Sequence, residues 1–316
     1  MSAESSAGTA TDAGATFVGG PIDPAAATDD ALVEQPLAVD SGTKRFHMID
    51  VLGPLAVFAA FVALWYWMHL WALENLFDRD GFLMPAPHLI IDESFIGGKA
   101  QASGDAFNPR GDMLKALLET TKLTFVGLAC SILLGTALAM LMTPFRWLER
   151  SLYPYLVALQ AVPILVIAPV LGAVFDYTFR TRVIVVIIIS IVPIITNTLF
   201  GLRSAEQGQH ELFTLQEASW HQRLFRLQFP AALPAIFTGY RISAGLAVIG
   251  AVVGELFNRK GAKGIGILMD EYRSRNQFTF TYGALLLSSL LGIAVYFAFG
   301  ALQKLVIGKW YQQTGS

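Results

Sequence analysis

Besides hydroxyl residues, the apolar runs of this sequence hold two amides and two charges that could act on a solute: Gln160, Asn197, Arg241 and Glu255. An amide shielded from water needs a hydrogen-bond partner, so Gln160 and Asn197 either line a path for a polar solute or join neighbouring helices. Arg241 could meet an anionic substrate, or its long stem could carry the charge out to the nearest water. Glu255 follows about 14 residues later, at ~1.5 Å per helical residue too far away to pair with Arg241. Lying at the end of its run, it is expected to be simply solvated.

No constellation for catalysis or metal binding accompanies these four. His47, His69, His88, His210 and His221 are scattered without ligand spacing, and Cys130, the single cysteine, lies in an apolar run as a small core residue. A phosphate loop needs G-x-x-x-x-G-K-[ST]; Gly98-Lys99 and Gly308-Lys309 lack both the upstream glycine and the hydroxyl. Gly261, Gly264 and Gly266 follow no soluble strand, which excludes a dinucleotide site. The expectation is no catalytic residue, no metal, no cofactor and no nucleotide hydrolysis by this chain itself.

The elements that position these residues are apolar helices. The chain has 316 residues, 54% hydrophobic and 15% charged, against about 25% charged in soluble domains. Net charge is −2, which gives no reason to expect nucleic acid. Runs at about 51–73, 123–142, 155–175, 183–202, 235–257 and 283–302 each approach or exceed the ~20 residues that cross a hydrocarbon core. Backbone cannot hydrogen-bond to lipid, so the fold class is all-α: a polytopic membrane protein with six transmembrane helices. Trp65, Tyr66, Trp67 and Trp71 suit a membrane–water boundary, and Pro163, Pro169 and Pro193 imply kinks or breaks in spans three and four. Residues 1–44 form an acidic tail without a basic residue before Lys44; it is expected to be disordered, with the membrane domain over 45–316.

Span two carries Gly127, Ser131, Gly135 and Ala139 at every fourth position. Span five carries Gly239, Ser243, Ala247 and Ala251, with Glu255 next on the same ridge. Such spacing keeps small residues on one face, where another helix can approach closely or a narrow path can run. Residues 203–234 form a polar, amphipathic connection between spans four and five, reading Glu211-Leu-Phe-Thr-Leu-Gln-Glu217-Ala218-Ser219-Trp220-His-Gln-Arg-Leu224-Phe225-Arg-Leu-Gln-Phe-Pro230.

That segment resembles the cytoplasmic coupling loop of binding-protein-dependent ABC importer permeases. The family pattern is E-A-A, three residues, Gly, nine residues, Ile, one residue, Leu-Pro. Counting back from Pro230, its glutamate falls on Glu211, while Leu212 and Phe213 replace the alanines and Glu217 replaces the glycine. A glutamate does not readily adopt φ > 0, so the turn between the two coupling helices is expected to be made differently. Pro163, Pro169, the run Pro193 to Gly201, and Gly239 to Glu255 also look like this family, over roughly residues 110–305. The branch is similar to nitrate, sulfonate and taurine permeases and to those for pyrimidine vitamin precursors and riboflavin; the stretch from Ala247 to Glu255, followed by Gly264-Ile-Gly266, leans toward the vitamin branch.

The resemblance implies a type I importer permease bundle that moves a small solute. Its partners would be a cytosolic ATP-binding subunit, an extracytoplasmic substrate-binding protein and a second permease copy, identical or similar, in the lipid bilayer of the inner or plasma membrane. It also assigns Glu211, Glu217, Ala218, Ser219, Trp220, Leu224 and Phe225 to ATPase coupling, with Trp220, Leu224 and Phe225 as the docked apolar face. Gln160, Asn197, Ser243, Ala247, Ala251 and Glu255 are candidates for the path lining. An amphipathic loop on the membrane surface is the alternative for 203–234, and an ATP-independent secondary transporter or channel is the alternative for the whole chain; neither ion-coupling acids nor an inverted repeat is evident. With both termini inside, ten Lys and Arg lie inside and twelve outside, so charge does not fix the orientation.

Overall fold

The computed structural model describes residues 48–76, 78, 80–96 and 108–311. The expected tail over residues 1–44 and the pair Gly98-Lys99 lie outside them. Contacts divide the chain into Met1–Pro54 and Leu55–Ser316, and the packing discussed below belongs to the second unit.

All regular elements among the described residues are helical. In order they are α1 (Met48–Trp67), a π turn (Met68–Ala72), α2 (Leu73–Asn75), a 3-10 turn (Gly81–Leu83), α3 (Pro87–Ile91), a π turn (Asp92–Ile96), α4 (Pro109–Met142), α5 (Arg146–Ala161), α6 (Ile164–Phe175) and α7 (Phe179–Leu202). There follow α8 (Gln207–Leu215), α9 (Trp220–Arg223), a π turn (Leu224–Gln228), α10 (Phe229–Phe257), α11 (Ile265–Ser274) and α12 (Phe278–Tyr311). Among the described residues, five helical stretches are long and apolar enough to cross a bilayer, and the bent pair α5–α6 makes a sixth if it counts as one span.

Spans two and five differ from their expected form, and span three breaks where its prolines imply. Span two begins at Pro109 rather than near 123: the Asn108 side chain accepts a hydrogen bond from Gly111 N, and Pro109 takes the first helical position. Span three is two helices meeting at 101°. Pro163 forces its predecessor out of the helical region, and Val162 is extended at φ −77°, ψ 126°. Span five is continuous with α9 through the π turn, from Trp220 to Phe257. Pro193, by contrast, stays inside an unbroken α7, where helices pack on both sides.

The two small-residue ridges explain that clamp, because both grip α7. On α4, Ser131 Oγ lies 2.7 Å from Ser190 Oγ, and a Cβ on Gly135 would come within 2.9 Å of Ile194. On α10, a Cβ on Gly239 would come within 2.9 Å of Asn197, and one on Gly250 within 3.0 Å of the Val186 backbone. Ser243 Oγ donates to Ser190 O at 2.6 Å. The pairings rise together along α4 and α7 and run oppositely along α10, so α4 is parallel and α10 antiparallel to α7. Leu123, Leu128, Val186, Ala244, Ala247, Val248 and Ala251 fill the seam between them. Phe58, Phe61 and Leu64 of α1 and Leu290, Ile293 and Phe297 of α12 turn outward, as lipid-facing helices require.

Overpacking this seam costs about 1–3 kcal/mol. Ala247→Leu is therefore expected to lower the melting temperature of the purified protein in detergent, whereas Ile249→Leu, on the exposed face of the same turn, leaves it unchanged. Equal melting of the two variants would contradict the packing.

Candidate functional site

Residues 203–234 build a two-helix segment on the end of the α7–α10 pair. Its root is fixed by Arg203, the residue after α7, which pairs with Glu149 in the first turn of α5, one of the two bonds being 2.7 Å. That hydrogen bond raises the Arg203 pKa above its ordinary value. Arg203 and α8 are separated by a short connection, and α8 ends in a left-handed cap. Ala218 N donates to Phe213 O and Glu217 N to Thr214 O, both at 3.0 Å, the paired bonds of a Schellman motif. Its left-handed residue is Glu217, at φ +52°.

This corrects the expectation that a glutamate would force another turn. Two otherwise orphaned carbonyls gain partners, and that gain offsets the roughly 1–2 kcal/mol that the left-handed region costs a side-chain-bearing residue. A capping box follows at once: Ser219 N donates to Gln222 Oε1 at 3.0 Å, and Gln222 N to Ser219 Oγ at 3.4 Å. Arg223 Nη2 donates to Thr214 Oγ1 at 2.9 Å and ties α9 back to α8.

Four large apolar side chains are exposed on this otherwise polar segment: Leu212 (53%), Leu215 (84%), Trp220 (46%) and Phe225 (55%). Trp220 stacks on His221 with ring centroids 4.1 Å apart. Leu224 is not among the four. It is 2% exposed and packs with Leu202, Ala232 and Ile236, so it anchors the segment to α7 and α10 instead of offering a docking surface. Glu211 is exposed and accepts from Gln207 Nε2 at 3.0 Å; Ala218 is half-buried in the turn.

The other end of α10 holds a buried polar node. Glu255 is fully buried, not solvated. Its carboxylate accepts from Thr120 Oγ1 of α4 at 2.9 Å and from Gly266 N at 2.8 Å, while the same Thr120 oxygen accepts from Ile265 N at 2.8 Å. A carboxylate thus sits at the N-terminus of α11, where backbone donors and the helix dipole favour negative charge. Gly264 and Gly266 have no room for a Cβ beside Glu255 and Val252. Arg182 of α7 is also buried and is satisfied by carbonyls alone: Nε on Asn258 O at 2.7 Å, Nη1 on Ala262 O and Nη2 on Lys260 O at 2.9 Å.

The family described as binding-protein-dependent transport system inner membrane component matches residues 131–310, which include this two-helix segment and Arg182 and Glu255 of the node. The chain belongs to this family. Among curated relatives, the formylaminopyrimidine transport permease protein ThiX of Halalkalibacterium halodurans is 35% identical over 76% of this chain and 91% of its own. The riboflavin transport system permease protein RibX of Chloroflexus aurantiacus is 33% identical over 52% and 60%. The nitrate import permease protein NrtB of Synechocystis sp. is 25% identical over 71% and 78%.

Within this permease, the candidates for the path lining do not share one surface. Ser243, Ala247, Ala251 and Glu255 are fully buried against helices of the same chain. Asn197 is half-buried, its amide donating to Pro193 O at 2.8 Å. Gln160 is exposed near the α5–α6 break. Arg241 has no carboxylate within ion-pair distance among the described residues: it is half-buried, its guanidinium lies 4.1 Å from the Tyr296 ring centroid, and its Nε is buried without a hydrogen-bond partner. Thr120, Arg182 and Leu215 escaped the sequence reading, and Leu212 stood in it only as a departure from the family pattern. Gly264 and Gly266 were the legible signs of the node, since only a close approach requires both.

The node permits a clean double-mutant test. Thr120→Val removes a donor and an acceptor at once and is expected to cost about 1–3 kcal/mol. With Glu255→Gln it should show a coupling energy of about 0.5–3 kcal/mol in thermal unfolding. Additive effects of the two changes would mean that Thr120 and Glu255 do not act together.

Proposed function

We propose that this permease forms the translocation path of an ATP-driven importer in the inner membrane. A cytosolic ATP-binding subunit engages residues 203–234, an external binding protein delivers the solute, and a second permease copy completes the path. The observation that carries this reading is the coupling segment itself. A Schellman turn at the position of the family's glycine, with a capping box two residues later, holds two short helices at a fixed angle and presents Leu212, Leu215, Trp220 and Phe225 outward. Exposed apolar anchors on a rigid polar platform suit docking into a partner's groove. Closure of an ATPase dimer can move membrane helices only through such a segment. Its orientation toward the cytoplasm follows from that role.

The solute is proposed to be a small vitamin-precursor heterocycle rather than a nitrate-like anion. The identity to the formylaminopyrimidine permease, 35%, against 25% to the nitrate permease, supports this. Arg241, withdrawn against Tyr296, is also poorly placed to attract an anion.

Phe225→Glu places a charge on the docking face without touching the buried anchors Leu224 and Leu227, and a desolvated, unpaired carboxylate costs several kcal/mol. The variant is expected to reach the membrane, and to lose uptake and substrate-stimulated ATP hydrolysis. Glu217→Gly relieves the left-handed strain and should retain uptake while raising stability by up to about 1 kcal/mol. Normal uptake by Phe225→Glu, with the ATP-binding subunit still attached, would falsify the docking face. Orientation is checked separately by single cysteines at Gln207 and Gly261 in a Cys130→Ala background. An impermeant thiol reagent applied to intact cells should label position 261 only; labelling at 207 alone would reverse the assignment.

A further inference from the structure

At the end of the bundle that carries residues 203–234, the first turns of α5 and the residue after α7 enclose a groove of about 550 Å³. It is lined by Arg146, Glu149, Arg150, Tyr153, Pro154 and Arg203. Three guanidinium groups face one carboxylate, and that carboxylate is committed to Arg203. Arg146 and Arg150 are exposed and, among the described residues, have no carboxylate within ion-pair distance. They stand one turn apart on α5, a spacing at which like charges repel unless an anion lies between them. Arg146 is also the first residue of α5, where the free backbone donors of a 16-residue helix point.

The surroundings belong to a membrane boundary. Trp147, Tyr153 and Tyr155, on the same two turns, are all exposed, and such amphipathic rings settle at the headgroup level. At the opposite end of the bundle several cations are engaged within the chain, Arg182 by three carbonyls, Arg259 and Arg273 by Asp270 and Lys263 by Glu271, while Arg180 there is exposed. Arg146 and Arg150 are left free for an external anion. Guanidinium forks match phosphate oxygens bidentately.

We propose that this groove binds the phosphate headgroup of an anionic phospholipid, with Arg146 and Arg150 as the contacting groups and the Arg203–Glu149 pair as its wall. A lipid seated there braces Arg203, and with it the root of the coupling segment. An acidic surface on a partner protein would satisfy the same charges. The aromatic rings around the arginines, at the mouth of apolar helices, favour lipid.

The test uses purified full-length permease in neutral detergent, with phosphatidylglycerol and phosphatidylcholine titrated in native mass spectrometry. Wild type is expected to retain phosphatidylglycerol in preference to phosphatidylcholine. R146Q/R150Q should bind it roughly thirtyfold more weakly, the effect of two arginines near an anionic surface. Arg180→Gln, an exposed arginine at the other end, should match wild type. Inorganic phosphate at millimolar concentration should not reproduce the rise in melting temperature that phosphatidylglycerol gives. Equal retention by wild type and the double variant, or an equal loss in Arg180→Gln, overturns the site. Stabilisation by phosphate alone as large as by the lipid makes it a free-anion site, and a double variant that keeps its lipid while losing the ATP-binding subunit makes it a protein contact. Both results overturn the proposal. None of the lipid measurements needs transport, so they stand apart from the importer reading. Should R146Q/R150Q fail to fold, Arg150→Gln alone supplies the same comparison at about fivefold, the effect of one arginine.

Discussion

Close approach of α4 and α10 to α7 is the constraint on which the rest of this structure depends. Apolar helices in lipid gain nothing from leaving water, so they associate through packing and a few hydrogen bonds. Here the packing comes from residues with little or no side chain, Gly135, Gly239 and Gly250 among them, and the hydrogen bonds from a layer of three serines. Ser131 and Ser243 reach Ser190 from opposite sides, one to its hydroxyl and one to its carbonyl. Each ridge packs on α7, which is why a helix containing Pro193 can remain unbroken at the centre of the bundle.

The two ends of α7 carry the two polar assemblies of the chain. At one end Arg182 gathers the carbonyls of residues 258–262, and Glu255 secures the start of α11. At the other, Arg203 pairs with Glu149, and Leu202 packs with Leu224. Because α9 runs through a π turn into α10 without a break, and α10 lies along α7 for most of its length, these helices form one stiff body. A push on the proposed docking face at Trp220 or Phe225 would therefore reach the Glu255 node by rigid displacement rather than by bending. Packed interfaces of this kind move as units or shift between discrete arrangements.

Much of this was legible in the sequence. The apolar runs located every span, because lipid leaves the backbone no choice but helix, and the four-residue ridges identified contact faces. The pattern counted back from Pro230 placed Glu217 at the turn, where the Schellman bonds are found. What escaped depends on longer-range geometry. Glu255 looks solvated when its run is read alone, since burial there requires residues 264–266 to fold back over it. The break in span three was legible at Pro163, but its 101° angle was not. The resemblance and its apolar side chain assign Leu224 to the docked face, but residue type alone does not tell a buried anchor from an exposed contact. Leu224 and Leu227, three residues apart in the π turn Leu224–Gln228, share the face turned inward, and Phe225 lies on the outward one. Local preference also failed at Glu217, where two backbone bonds outweigh the conformational cost.

The buried ridge has a consequence for the path. With Ser243, Ala247 and Ala251 closed against helices of the same chain, the open face of α10 is the one carrying Ile242, Gly245, Ile249 and Val253. That face meets α12 across an apolar groove. Its two serines, Ser288 and Ser289, already donate to Leu285 O, so they offer a solute acceptor oxygens but no free donor. A heterocycle crossing a membrane needs its polar edges matched while its rings stay in contact with apolar walls. One chain provides walls of the second kind, and at Gln160 an exposed amide of the first. It does not bring them together in one cavity among the described residues. In the proposed assembly a second copy supplies the opposing wall, and the α5–α6 break that carries Gln160 is then the element whose position decides whether an amide faces the solute.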